Sequence, residues 1–186
     1  MFLELKMLHY VNISDFATYN VLPNYNKSRW IMNKDFHTFS EYMKKDDDDL
    51  TASMEDYLEM IFRLSLKVGF TRIHELSSAL NVQPPSATKM VQKLAELDLL
   101  EYEKYGVLIL KEKGKDLGKE LLNRHNIIES FLRILDISEM DILDETEKIE
   151  HTISKETVNH FGEYINFLNE NPNIITEFKA YRKSKK

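Results

Sequence analysis

The sequence predicts a mainly α protein with one small β-hairpin. Three observations carry that expectation: apolar residues recur at helical spacing from Ser53 to about Asn169, one short stretch at 100–111 reads as two strands around a glycine, and only 5 Gly and 4 Pro punctuate 186 residues. The length suits one globular unit or two small ones, and a 42% hydrophobic, 30% charged composition is that of a folded, water-soluble chain. No apolar run approaches the roughly 20 residues of a membrane span, so a cytoplasmic protein without membrane contact is expected. The absence of Cys excludes disulfides, thiolate nucleophiles, iron–sulfur clusters and sulfur-based zinc sites. No organic cofactor is expected.

Residues 1–50 carry nine of the twenty aromatic residues but no sustained periodicity, and they end in Lys44-Lys45 followed by Asp46 to Asp49, a solvated boundary. They are read as an N-terminal extension. A first helix is expected over 53–68, opened by a capping box at Ser53-Met54-Glu55-Asp56, stopped by Gly69 and apolar along Met54, Tyr57, Leu58, Ile61, Phe62, Leu64 and Val68. A short second helix, 72–80, takes Thr71 as its cap and stops at Asn81. The third, 85–97, opens at Pro84-Pro85, where the fixed φ of proline suits a first helical turn. Two short helices joined this tightly make a helix-turn-helix, whose second member enters a DNA major groove.

The third helix buries Ala87, Met90, Val91, Leu94 and Leu97 on this reading and turns Pro85, Ser86, Thr88, Lys89, Gln92 and Lys93 outward. Hydroxyls and ammonium groups suit phosphate oxygens, while Gln92 and Thr88 can reach base edges. The hairpin Leu100 to Lys111 turns at Gly106 and puts Lys104 near its tip, completing a winged helix-turn-helix over 51–111. Double-stranded DNA is the expected partner. A net charge of −6 argues against that only if charge is evenly spread, and it is zoned: residues 60–94 carry Arg63, Lys67, Arg72, Lys89 and Lys93 against Glu75.

Residues 135–170 reverse the sign, with ten acids against Lys148 and Lys155. Helices are expected over 112–135, 139–153 and from Ser154 to about 169, followed by a basic tail at 171–186. Glu147 and Glu150 stand i,i+3 and Glu147 and His151 i,i+4, so three ligand-type side chains converge on one helix face; Asp56 and Glu59 repeat the carboxylate spacing, and His125 lies on the long helix. If these helices meet, four carboxylates and two imidazoles without sulfur form a hard site, large enough for two divalent ions and better suited to manganese than to zinc or copper. Glu55 and Glu129 are read as supporting or surface positions. A hydrated acidic face is the alternative.

The residues that carry these readings also carry a family likeness. Ser-Met-Glu-Asp-Tyr-Leu-Glu (53–59), Ser-Ala-Thr-Lys-Met-Val-Gln-Lys-Leu (86–94), Tyr-Glu-Lys-Tyr (102–105), Arg124-His125 with Phe-Leu-Arg (131–133), and Ile-Glu-His (149–151) together resemble the manganese transport regulator branch of the diphtheria toxin repressor family. The resemblance implies a homodimeric, metal-activated repressor of manganese uptake genes, with a C-terminal helical dimerisation and metal-binding domain over 112–170. It places the metal on Asp56, Glu59, His125, Glu147, Glu150 and His151, the six residues that spacing and ligand chemistry select. The iron-responsive relatives resemble this sequence but carry Met in place of Asp56 and Cys in place of Glu147, and often a third, SH3-like domain. The N-terminal 50 residues depart from the pattern; Met43 would make a natural start, and residues 1–42 are read as a mistaken upstream translation or a weakly ordered extension. Two alternatives stay open: a winged-helix regulator sensing iron or an organic ligand, and a dinuclear metallohydrolase, which would need an open coordination position that the sequence does not nominate.

Overall fold

The computed structural model describes residues 50–185; residues 1–49 of the expected extension fall outside the described residues, and Leu50 packs into the first core. Helix α1 (Ala52–Ser65) buries Leu58 and Ile61 completely. Its cap is Thr51 rather than Ser53: the Thr51 side chain accepts a hydrogen bond from the Met54 amide. The helix ends three residues before the expected stop, so Val68 lies beyond the apolar stripe and is exposed.

Strand β1 (Thr71–Arg72) precedes α2 (Ile73–Ala79), so Thr71 pairs in a sheet instead of capping the helix, and Arg72, also in the sheet, takes the cap position. Glu75 satisfies the entry to α2, accepting from the Arg72 amide and the Thr71 hydroxyl, each at 2.9 Å. Asn81, at φ 52°, turns the chain out of α2. Helix α3 (Pro84–Glu96) follows with proline at its start and packs Ala87, Val91 and Leu94 into the core; Leu97 falls outside the helix and is 43% exposed, against its expected burial. Strand β2 (Leu100–Tyr102), a 3₁₀ turn (Lys104–Gly106) and β3 (Val107–Leu110) form the wing. The sheet is antiparallel in the order β1-β3-β2, with Arg72 opposite Val107 and Glu101 opposite Ile109.

Helix α4 (Glu112–Ile134) leaves the wing and runs to the second half of the molecule. Two glycines let it approach closely. A Cβ on Gly114 would stand 2.0 Å from the Leu99 carbonyl oxygen, and one on Gly118 2.7 Å from Phe62 Cβ, so α4 lies directly against the hairpin and α1. Helices α5 (Ile142–Glu150), α6 (Lys155–Glu170) and α7 (Pro172–Lys183) complete the chain. The start of α5 is later than expected, and the basic tail is largely helical: Pro172 begins α7, and the Arg182 guanidinium donates to the Leu135 carbonyl at the end of α4. The first core gathers Leu58, Ile61, Leu76, Val91, Leu94, Leu99, Leu100 and Leu108. A second, smaller one gathers Ile128, Leu132, Ile142 and Val158. No helix among the described residues is long and apolar enough to cross a membrane.

Candidate metal centre and nucleic-acid interface

Where α1, α4 and α5 meet, the interior is charged. Helical spacing puts Asp56 and Glu59 on the α1 face turned toward α4 and α5, His125 points inward from α4, and Glu147, Glu150 and His151 come from α5 and its C-terminal cap. All six sequence-selected residues come together, in two groups. Asp56, Glu147, Glu150 and His151 offer ligand atoms within 4.8 Å of one another, and Glu59, His125 and Glu150 do the same. Glu150 belongs to both and is 2% exposed.

The two groups differ in access. Glu59 and His125 are buried with Glu150, whereas the Asp56 and Glu147 side chains are 37% and 49% exposed. His125 Nδ1 lies 2.9 Å from Glu150 Oε2, 3.8 Å from Glu147 Oε1 and 4.0 Å from Glu59 Oε1. Its pKa is raised, first by the Glu150 contact, with burial opposing. Burial raises the Glu59 carboxyl, opposed by the paired Arg63 guanidinium. Glu147 is raised by burial and then by the charge of Glu150. His151 is pushed up to about 9 by its contacts with Asp56 and then Glu55. Its Nε2 stands 2.8 Å from Asp56 Oδ1 and its Nδ1 2.8 Å from Glu55 Oε2.

Glu55, which the sequence leaves between a supporting and a surface position, is buried against the cluster. It is 7% exposed and bridges the Arg124 guanidinium, at 2.6 Å, to the back of the His151 ring. A carboxylate on the far ring nitrogen fixes both orientation and tautomer of a ligating imidazole. Its adjacency to Asp56 was the only sequence signal; burial comes from α4 and α5 folding over it. Glu129 pairs instead with Arg133 at 2.8 Å, away from the cluster. The donor set suits a hard divalent ion: carboxylate oxygens and imidazole nitrogens, no sulfur, and acids held close enough together that a cation relieves their repulsion.

On α3, Pro85, Ser86, Lys89, Gln92 and Lys93 are exposed, as is Lys104 in the wing. Thr88 is half-buried and donates its hydroxyl back to the Pro84 carbonyl at 2.9 Å, which leaves its oxygen only an accepting role outward. Val91 and Leu94, on the opposite side of the helix, hold this polar face outward by anchoring α3 in the first core.

This arrangement of a winged helix-turn-helix joined through a charged cluster to a helical second half has close counterparts. The sequence matches the family described as iron dependent repressor, N-terminal DNA binding domain, over residues 49–108, and iron dependent repressor, metal binding and dimerisation domain, over residues 111–179. The chain belongs to the iron-dependent repressor family, in its MntR branch. The HTH-type transcriptional regulator MntR of Bacillus pumilus (strain SAFR-032) is 44% identical over 133 residues, 72% of this chain and 92% of that protein. MntR of Bacillus subtilis (strain 168) is 41% identical over 133 residues, 72% of this chain and 94% of that protein. Among solved structures, that of the manganese regulator SloR aligns with a TM-score of 0.55 at 31% identity, covering 61% of this chain and 54% of that one. This chain therefore spans about half the length of that structural relative. The family is one of DNA-binding, metal-binding transcriptional regulators, which displaces the hydrolase alternative.

Proposed function

We propose that this iron-dependent repressor family member represses manganese uptake and homeostasis genes, with Mn(II) as corepressor, two ions per subunit and a homodimer as the DNA-binding species. The observation that carries the reading is the pair of overlapping ligand groups sharing Glu150, which joins α1 of the DNA-binding half to α4 and α5. In this reading residues 51–111 contact DNA and residues 112–170 bind metal and dimerise. Asp56, Glu147, Glu150 and His151 would hold one ion and Glu59, His125 and Glu150 the other, the divalent charge supplying what the clustered carboxylates lack. Glu55 and Arg124 keep the His151 ring turned toward Asp56. The exposed rings of Tyr164 and Phe167 on α6 support a second copy as partner, since they continue an aromatic row from Phe131 and Phe161, whose rings stack at 4.2 Å, out to the surface.

Without a cation, Asp56, Glu59, Glu147 and Glu150 repel one another across the α1–α5 junction, which leaves the junction loose. Two recognition helices must stand about 34 Å apart to meet successive major grooves, so a loose junction adds an ordering cost to operator binding. Pairing these residues through a cation lowers that cost. The coupling is reciprocal: a 100-fold gain in operator affinity on metal binding is about 2.7 kcal/mol, and operator tightens metal binding equally. Pro85, Ser86, Thr88, Lys89, Gln92, Lys93 and Lys104 are the proposed DNA contacts, the lysines toward phosphate and Gln92 toward a base edge. Gel shifts with Mn(II), Fe(II), Zn(II) and chelator test the whole reading. Retardation with Mn(II) and none in chelator is expected; equal binding in chelator sinks the corepressor role.

A further inference from the structure

Among the described residues, four non-glycine positions have positive φ: Asn81, Asp98, Tyr105 and Asp136. Three are Asn or Asp, the residue types that tolerate the left-handed region, and each follows the end of a helix. Tyr105 is the exception. At φ 63° its bulky side chain carries the left-handed penalty at the tip of the wing, and the ring is 91% exposed, so burial within the subunit offsets nothing.

The base beneath the ring is fixed. Gly106 continues the turn at φ 75°, and a Cβ there would lie 2.9 Å from Ile73 Cγ2, so the tip rests on the first residue of α2. Arg72 pairs with Val107 in the sheet and is exposed, and exposed Lys104 precedes the tyrosine; Glu103 is the acid next to the turn. An exposed aromatic ring preceded in the same turn by an exposed cation matches a surface that offers both apolar sugar faces and phosphates. Duplex DNA is that surface, and the same half of the chain carries the outward polar face of α3.

We propose that Tyr105 is a DNA-contacting residue: its ring packs on the deoxyribose wall of the minor groove beside the stretch met by α3, while Lys104 pairs with the adjoining phosphate. The inference rests on the DNA-binding reading above and adds a second, shape-sensing contact to it.

The test uses the full-length protein with Mn(II) and duplexes it selects from a random library. Binding is read by fluorescence anisotropy and hydroxyl-radical footprinting, and stability by thermal melting. Y105A and Y105G should each lose about tenfold in affinity, the scale of leaving one large side chain unburied, with protection lost only at the outer edges of the footprint. Y105F should stay within about twofold of wild type, since the ring and not the hydroxyl makes the contact. Y105G should melt no lower than wild type, because glycine relieves the positive φ. Affinities of Y105A and Y105G within twofold of wild type overturn the proposal, as does a lowered melting temperature in Y105G, which would make the ring a structural element. K89A serves as the reference for the α3 contact. Equal selection of duplexes with Mn(II) and with chelator would remove the corepressor reading and leave the comparison of Tyr105 variants decisive.

Discussion

The two halves of the molecule are held together by different physics. The DNA-binding half packs Leu58, Ile61, Leu76, Val91, Leu94 and Leu108 at 0% exposure around a three-stranded sheet, and apart from Glu55 and Glu59, which α1 contributes to the charged junction, its buried polar groups are the small hydroxyls of Ser65, Thr71 and Ser77. The second half has four buried hydrophobics at its centre, while its interior edge holds His125, Thr146 and Glu150. Away from that junction, apolar burial fixes the first half. The second half keeps ionisable groups out of water, which is costly unless they are paired, and so its order depends on what binds to it.

Leu94→Ala should break this comparison most visibly if it is wrong. A Leu to Ala change in a sealed apolar core costs about 2–5 kcal/mol, and chemical denaturation should give the same loss with and without Mn(II). Repair of that loss by metal would mean that the halves are not separable. Next in size, wild-type protein should gain about 2.7 kcal/mol of stability when Mn(II) is 100-fold above its Kd. Glu150→Gln keeps the shape of a buried side chain and should remove most of that gain, along with metal-dependent operator binding. Melting curves with Mn(II) and with chelator measure it, and a wild-type-like gain in the variant would refute the shared role of Glu150. Val158→Ala should cost about 1–2 kcal/mol, less than Leu94→Ala because fewer methyl groups are lost from a smaller cluster. Here the loss should shrink with Mn(II), read from the same denaturation curves.

The smallest expected effect concerns pH in the first half. The Thr71 hydroxyl, and then the Arg72 amide, hold the Glu75 carboxyl below its usual 4.5. A depressed folded-state pKa contributes stability above the unfolded value, and that contribution is lost as pH falls through the folded one. The melting temperature of wild type should therefore decline below about pH 4.5 more steeply than that of Glu75→Gln. Parallel acid limbs would show that this cap contributes nothing.

The sequence was most legible where the signal is local. Helices α1, α3 and α4 announce themselves by spacing and by Pro84-Pro85, the hairpin by Gly106, and five of the six ligand-type residues could be picked because i,i+3 and i,i+4 partners share a helix face, His125 joining them by its imidazole on the long helix. Features made by distant contacts stayed hidden. Strand β1 exists only through pairing with β3, so Thr71 read as a helix cap. Glu55 lies one residue from Asp56, a spacing that leaves it between a supporting and a surface position until α4 and α5 close over it. Helix α7 carried a readable signal in Ile174, Ile175, Phe178 and Tyr181, which recur at helical spacing after Pro172, and its run of terminal cations obscured it.

Gly114 and Gly118 fasten the start of α4 to the wing and α1, and the last turns of the same helix belong to the second core. A continuous helix of 23 residues is about 35 Å long. It behaves as a lever with its fulcrum clamped in the DNA-binding half. A tilt of about 5° at that clamped end carries the far end through about 3 Å, so a small rotation between the two halves becomes a displacement large enough to misalign paired DNA-reading elements.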